Sequence, residues 1–290
     1  MNTQPPTGVR ANRLYRAKPK KTRAEKKSTD DDRYAVVLAA AKQTVDILSK
    51  NGFRCAIFGG LACKLYGNSR CPNDVDIIVY PTGGRDVPDA EVVKQMIVSR
   101  GHGNYYLKKA RNPAATYKIL WYKNPRGGRR ESKVDILVPS SADTMSLPPY
   151  IPEQRIFSPI LDDGGTLPVA PFAFVLLHKL KGWSDHRASK ETFKQVRYHT
   201  DGADIRRLLD TRSARLLPQT PNWWLDEVLF DERLRSDSII RVQEYCSLFP
   251  QRAAQWRSLG IDVPDIASSQ SQVVTEEEEE ASAMLELDDD

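Results

Sequence analysis

Residues Phe58 to Val79 read FGGLACKLYGNSRCPNDVDIIV, and in them Asp74 and Asp76 interrupt a run of Val and Ile that otherwise has the composition of a buried β-strand. Aspartate is depleted from strands, and an unpaired buried carboxylate is costly. In a strand, residues i and i+2 share a face, so Asp74 and Asp76 project together while Val75 and Ile77 enter the opposite layer. A third acid, Asp135 in KVDILV, has similar surroundings between Val134 and Ile136. If the two strands pair at the usual spacing of about 4.8 Å, the three carboxylates converge on one small volume.

Three such anions repel one another by about 3 kcal/mol per pair at roughly 5 Å and an effective dielectric near 20. A divalent cation turns that repulsion into attraction. Carboxylates are hard oxygen ligands of the kind Mg²⁺ (or Mn²⁺) accepts alongside water and substrate phosphates. Two such ions about 3.5–4 Å apart are a known arrangement for in-line displacement at phosphorus.

Working outward, Tyr34 to Lys50 carries apolar residues at helical spacing and stops at Asn51-Gly52, which predicts a helix. FRCAIF has the content of a short strand, Gly59-Gly60 breaks it, and LACKLYG is long enough for about two helical turns before Asn68 opens a loop. DVDIIVY is the next strand, and Pro88 to Gly101 reads as a helix with an acidic first turn and a terminal glycine. YYLKK, ATYKILWYK and SKVDILV are strand-like, the last two joined across NPRGGRR as a hairpin, and RIFSPILDDGGTLPVA reads as a further hairpin turning at DDGG. From Pro171 the period becomes helical, through FAFVLLHKLKGW, ETFKQVRYH, GADIRRLLD, NWWLDEVLFDERL and SIIRVQEYCSLF. The expected fold is α+β: a mixed β-sheet core flanked by helices over residues 33–170, then a helical domain over 171–267.

Both ends differ in composition from this core. Residues 1–29 carry nine Lys or Arg against one Glu, and residues 276–290 carry nine acids and no base. We read 1–32 as a disordered basic arm and 268–290 as a disordered acidic tail. Without them the chain is only mildly basic, so charge alone does not demand a nucleic-acid partner. No apolar run approaches the roughly 18 residues that span a bilayer, and the first residues lack the apolar centre of a secretory signal. The expectation is an intracellular protein, cytoplasmic or nuclear, with no membrane partner. Cys55, Cys63, Cys71 and Cys246 show no paired spacing and form no ligand cluster with His102, His178, His186 and His199, which argues against structural zinc and a disulfide framework.

The glycine pair, the helical spacer, Asp-x-Asp and the third acid in KVDILV together resemble the nucleotidyltransferase superfamily, with its DNA polymerase beta-like fold. The pattern is most similar to its toxin-like and aminoglycoside nucleotidyltransferase branches. The resemblance covers about Cys55 to Pro139. It implies that Gly59 and Gly60 let backbone N–H groups approach nucleotide phosphates, and that Asp74 and Asp76 bind the metal carrying a nucleoside triphosphate. It further implies that Asp135 completes a second metal site and helps deprotonate an acceptor hydroxyl, and that Arg70 touches a phosphate. Two positions depart from the pattern: Gly60 stands where many relatives have Ser, and Pro72 where the toxin-like branch commonly has Ser or Thr.

In the helical half, the resemblance assigns a triphosphate-holding lysine to LLHKLKGWSDHR, where Lys179 is chosen over Lys181. His178 and His186 lie close enough in sequence to join it, although isolated histidines are mostly structural. Arg187, Lys190, Lys194 and Arg197 recur at three- and four-residue intervals as a stripe that faces phosphate, with Arg187 the nucleotide-binding candidate, or simply solvent. Asp201 and Asp204 resemble a toxin-branch motif, or cap a helix start. Trp121, Trp183, Trp223 and Trp224 stack a base or, by default, fill the core. The expected function is Mg²⁺-dependent transfer of a nucleoside monophosphate from a nucleoside triphosphate to a hydroxyl of RNA, protein or a small molecule. The alternatives are a catalytically inactive nucleotide-binding scaffold of the same fold and an RNA-binding protein led by the basic arm.

Overall fold

The register of one strand pair organises the molecule. In the computed structural model, which describes residues 22–82, 88–110, 115–125, 131–140 and 145–264, strand β2 (Asp74–Tyr80) lies parallel to β5 (Glu131–Leu137), with Asp76 opposite Asp135 and Val75 opposite Val134. On its other side β2 pairs antiparallel with β1 (Arg54–Phe58), placing Phe58 across from Asp76. Beyond β5 come β4 (Lys118–Lys123) and then the edge strand β3 (Tyr105–Lys109), both antiparallel, which completes a five-stranded mixed sheet. The parallel β2–β5 step requires a crossover, and the chain between them supplies helix α3 (Ala90–Arg100) and two strands.

Period-2 alternation gives the sheet two unlike faces. Val75, Ile77, Val134, Leu120 and Tyr122 are buried on one. Helix α1 (Arg23–Lys50) covers that face: its Thr44 hydroxyl sits 2.9 Å from the Tyr105 hydroxyl, and Lys94 of α3 donates to the Lys118 carbonyl at 2.8 Å. On the aspartate face, Phe58 packs its ring 5.4 Å from that of Phe174 on α4 (Phe172–Ala188). Helix α2 (Gly59–Leu65) follows β1 without a break and leads Asn68 and Arg70 toward α5 (Thr192–Leu209). One continuous apolar core extends from Val36 through the sheet to α4, α7 (Glu232–Leu248) and α8 (Ala253–Ser258). A short α6 (Arg212–Leu216) follows α5. All four cysteines are free.

Three boundaries differ from those expected. Helix α1 begins at Arg23, so residues 23–32, assigned above to the disordered arm, form its first turns; Thr22 accepts from the Glu25 N–H while Glu25 accepts from the Thr22 N–H, a capping box that starts a helix ahead of its apolar stripe. Residues 1–21 and 265–290, which hold the rest of the basic arm and the acidic tail, lie outside the described residues. ETFKQVRYH and GADIRRLLD belong to one helix, α5, which passes through Asp201-Gly202 unbroken. NWWLDEVLFDERL is a 3₁₀ turn at Trp223–Leu225, with α7 starting only at Glu232, because Asp231 caps it by accepting from Leu234 N–H at 2.6 Å. The expected hairpin at RIFSPILDDGGTLPVA is held by isolated bridges, Phe157 to Val169 and Ile160 to Thr166. No helix among the described residues is long and apolar enough to cross a membrane.

Phe174 joins the two halves, with its ring against Phe58, His178 and Phe230 and no exposed surface. Phe174→Ala is expected to lower the unfolding free energy by about 3–5 kcal/mol, read from the urea midpoint at unchanged slope.

Candidate active site

Strand β2 delivers Asp74 and Asp76 to the face that α1 leaves free, and β5 sets Asp135 beside Asp76 and Lys133 beside Asp74. Gly59 closes the site from the β1 side. Its φ is +58°, and a Cβ there would overlap the Asp76 carboxylate, lying 2.7 Å from its Cγ. Only glycine satisfies both the left-handed backbone and this approach. Gly60 is under neither constraint: a Cβ would meet Arg70 Nη2 at 3.4 Å and Pro72 Cβ at 3.6 Å. The two departures from the family pattern, Gly60 and Pro72, are thus neighbours in space.

Asp76 bears the strain of this crowding. Burial, then the charges of Asp74 and Asp135, push its carboxyl up to about 7 against the partial relief given by Lys179 and Lys133. Asp135 accepts a hydrogen bond from Lys133 Nζ at 2.6 Å. The expected convergence is therefore incomplete: the three aspartates share a face, but among the described residues no three His, Cys, Asp or Glu side chains stand close enough to hold a metal ion as they lie. The donor chemistry nonetheless fits a hard divalent cation. Two like-charged carboxylates with no ion pair among the described residues adjoin a third held by one ammonium, and added positive charge would relieve the Asp76 carboxyl.

Behind Asp76 lies a buried ionic cluster. Asp204, without exposed surface, accepts from Arg70 Nε at 2.8 Å, Arg70 Nη2 at 2.7 Å and Asn68 Nδ2 at 2.9 Å, and pairs with Lys179 Nζ at 3.1 Å. Lys179 also donates to Asp201 at 2.9 Å, whose other oxygen meets His186 Nδ1 at 2.7 Å. Burial alone would push Asp204 up, but Lys179 and Arg70 outweigh it and hold the carboxyl far below its ordinary range. By the same balance both cations are raised, so they stay charged.

Arg70 and Lys179, two of the groups expected to meet phosphate, are thus brought together on Asp204, already paired with acids. Arg187 is elsewhere: it lies over the Trp183 ring at 5.5 Å and 3.8 Å from Glu244 on α7. The basic stripe is not one helical face, because the chain leaves α4 at Ser189 and enters α5 at Thr192, separating Arg187 and Lys190 from Lys194 and Arg197. Asp201 and Asp204 cap nothing, since they lie well inside α5. His178 is structural: its ring nitrogens face the Phe174 and Met145 carbonyls at 2.9 and 3.1 Å, and burial pulls it down to about 4. Trp183 and Trp223 fill the core, whereas half-buried Trp121 lies on the aspartate side of the sheet under Lys108, 4.3 Å from its ring. Two residues escaped the sequence reading. Lys133 was legible, being two residues before Asp135 and so on its face; Asn68, read only as a loop opener, is 2 % exposed and bonds Asp204.

No family model matches the chain, and no curated protein does. Among solved structures, the chain is similar to an antigenic nucleotidyltransferase-like protein from Paracoccidioides brasiliensis, at 13% identity and a TM-score of 0.49, over 80% of this chain and 94% of that one. It is similar also to the nucleotidyltransferase toxin MenT4 from Mycobacterium tuberculosis, at 17% identity and 0.38, over 88% and 94%. A third similarity is to CdnC from E. coli, in a structure with ATP, at 16% identity and 0.31, over 90% and 84%.

Two outcomes follow from this geometry. Gly59→Ala is expected to lose soluble folded protein or several degrees of Tm by thermal melt, while Gly60→Ala stays within about 1 kcal/mol of the parent. In chelator, Asp76 keeps a proton in the folded state that the unfolded chain, at its ordinary 3.8, has released; stability is therefore lost as pH rises from about 4 to about 7. Asp76→Asn removes that penalty, so its Tm should exceed the parent's at pH 8 and converge on it at pH 4.

Proposed function

We propose that the chain is a metal-dependent nucleotidyltransferase, which moves a nucleoside monophosphate from a nucleoside triphosphate to an acceptor hydroxyl. The observation that supports this best is the β2–β5 register, which seats Asp74, Asp76 and Asp135 on one face beside a glycine that no other residue can replace. Asp74 and Asp76, with Asp135 once it turns from Lys133, would hold Mg²⁺ or Mn²⁺. The ion would supply charge neutralisation on the triphosphate and a lowered pKa for the acceptor hydroxyl.

In the reaction so read, the acceptor oxygen forms a bond to the α-phosphorus, the α–β anhydride bond breaks, and pyrophosphate leaves with the electron pair. An oxygen of Asp135 takes the hydroxyl proton. Gly59 and Gly60 let the backbone approach the phosphates, and the protein's share is positioning and fixed charge. Lys179 serves from within its cluster, its charge reaching Asp76 while Asp201 and Asp204 hold the ammonium in place.

A second reading, a module of this fold that binds a nucleotide without turnover, is favoured by one observation: Arg70, Lys179 and Lys133 are all bound to acids. One experiment separates the two. Full-length protein is incubated with each ribonucleoside triphosphate, Mg²⁺ and candidate RNA, protein and small-molecule acceptors, and products are read by mass spectrometry. A mass gain of one nucleotide on an acceptor is expected, reduced on the order of a thousandfold in Asp74→Ala plus Asp76→Ala. Transfer that persists in the double variant overturns the reading, and triphosphate binding without product over hours supports the module.

A further inference from the structure

Asp135 has a partner that the sequence reading did not include. Lys133 precedes it by two residues on β5 and stands on the same sheet face, with Nζ 2.6 Å from Asp135 Oδ2. Across the sheet its neighbour on β2 is Asp74 and its neighbour on β4 is Trp121, so the side chain rises between a carboxylate and an indole in one register row. It is 35% exposed, well short of a free surface lysine. Although burial alone would lower it, the charges of Asp135, Asp74 and Asp76 raise it, which places all three carboxylates within the field of this one ammonium.

We propose that Lys133 is a positioning residue, a tethered counter-ion for Asp135 that a divalent cation must displace, so that this side chain sets how tightly the aspartates hold metal. The inference rests on the metal reading of the site given above. Its physics is competition for one carboxylate. An ammonium on a flexible stem neutralises Asp135 at hydrogen-bond distance, and a divalent ion gains that oxygen only when the ammonium leaves. When ionised, three carboxylates and one ammonium carry two net negative charges, which one divalent ion cancels, and the displaced ammonium stays tethered to the same strand. The arrangement also accounts for the open state of the ligand set, since Asp135 is held by its own strand neighbour.

The test uses full-length, nucleotide-free protein and Mn²⁺ as the probe, with binding followed by electron paramagnetic resonance at pH 8. Lys133→Met keeps the apolar stem and removes the charge; it is expected to bind Mn²⁺ about tenfold or more tightly than the parent, and Lys133→Arg to return to parental affinity. In chelator the Met variant should melt below the parent and show the larger upward shift on adding Mn²⁺. Lys133→Gln, which is also uncharged, takes its place if the Met variant does not fold. Affinity in the uncharged variants equal to or weaker than the parent's overturns the proposal, as does equally tight binding by Lys133→Arg. Should that happen while the parent still transfers nucleotide in an Asp74- and Asp76-dependent way, only the role of Lys133 falls. Absence of Mn²⁺ binding in every variant together with absence of transfer overturns the metal reading as well.

Discussion

The pairing of Asp76 with Asp135 across a parallel strand pair is the constraint to which the rest of the site answers. Register in a half-buried sheet is set by the apolar face, and a slip of one residue would send every side chain to the wrong side. Val75, Ile77, Val134 and Ile136 must lie beneath α1 and α3, which obliges Asp74, Asp76 and Asp135 to share the other face. The fold's own stability thereby enforces an arrangement that is electrostatically unfavourable. The core residues that fix the register are the reason three like charges are held together.

Such a cost needs local compensation, and it takes two forms at different depths. At the surface, Lys133 neutralises Asp135 at hydrogen-bond distance. Deeper, Lys179 contributes positive charge while locked, together with Arg70, by Asp204 and Asp201. Removing a single member of such a buried cluster leaves an uncompensated charge, so the cluster resists piecemeal change. It also ties the loop after α2 to α4 and α5. The helical half is thereby fastened to the sheet by ionic contacts as well as by Phe58 against Phe174.

Much of this was legible in the residues. The alternation in DVDIIVY and KVDILV specified which side chains share a face, and Gly59-Gly60 marked where β1 gives way to α2. What escaped legibility depended on distance along the chain. Asp204 lies far from Arg70 in sequence, so a carboxylate in GADIRRLL looked like an ordinary helix-start acid, and only folding shows it deep in α5 among three donors. The apparent break at Asp201-Gly202 misled because glycine is permitted within a helix whose faces are packed, as α5 is against α4. Lys133 and the capping box at Thr22 were different. Both are local patterns: Lys133 shares the face of Asp135 by strand alternation, and the capping box stands ahead of the apolar stripe that marks α1.

The contrast between Gly59 and Gly60 shows how far a motif can be converted into physics. As a pair they suggest only a permissive backbone near a phosphate. In the fold they separate: Gly59 is excluded from substitution by its left-handed φ and by the Asp76 carboxylate, whereas Gly60 faces Arg70 and Pro72 at ordinary contact distance. The departure at Gly60 is therefore sterically unforced, and the space above it is bounded by Pro72, the other departure. A hydroxyl at position 60 would stand beside a guanidinium already committed to Asp204. In the reaction proposed, phosphate recognition at this edge of the site would fall to backbone N–H groups, with the lysines tuning charge from either side.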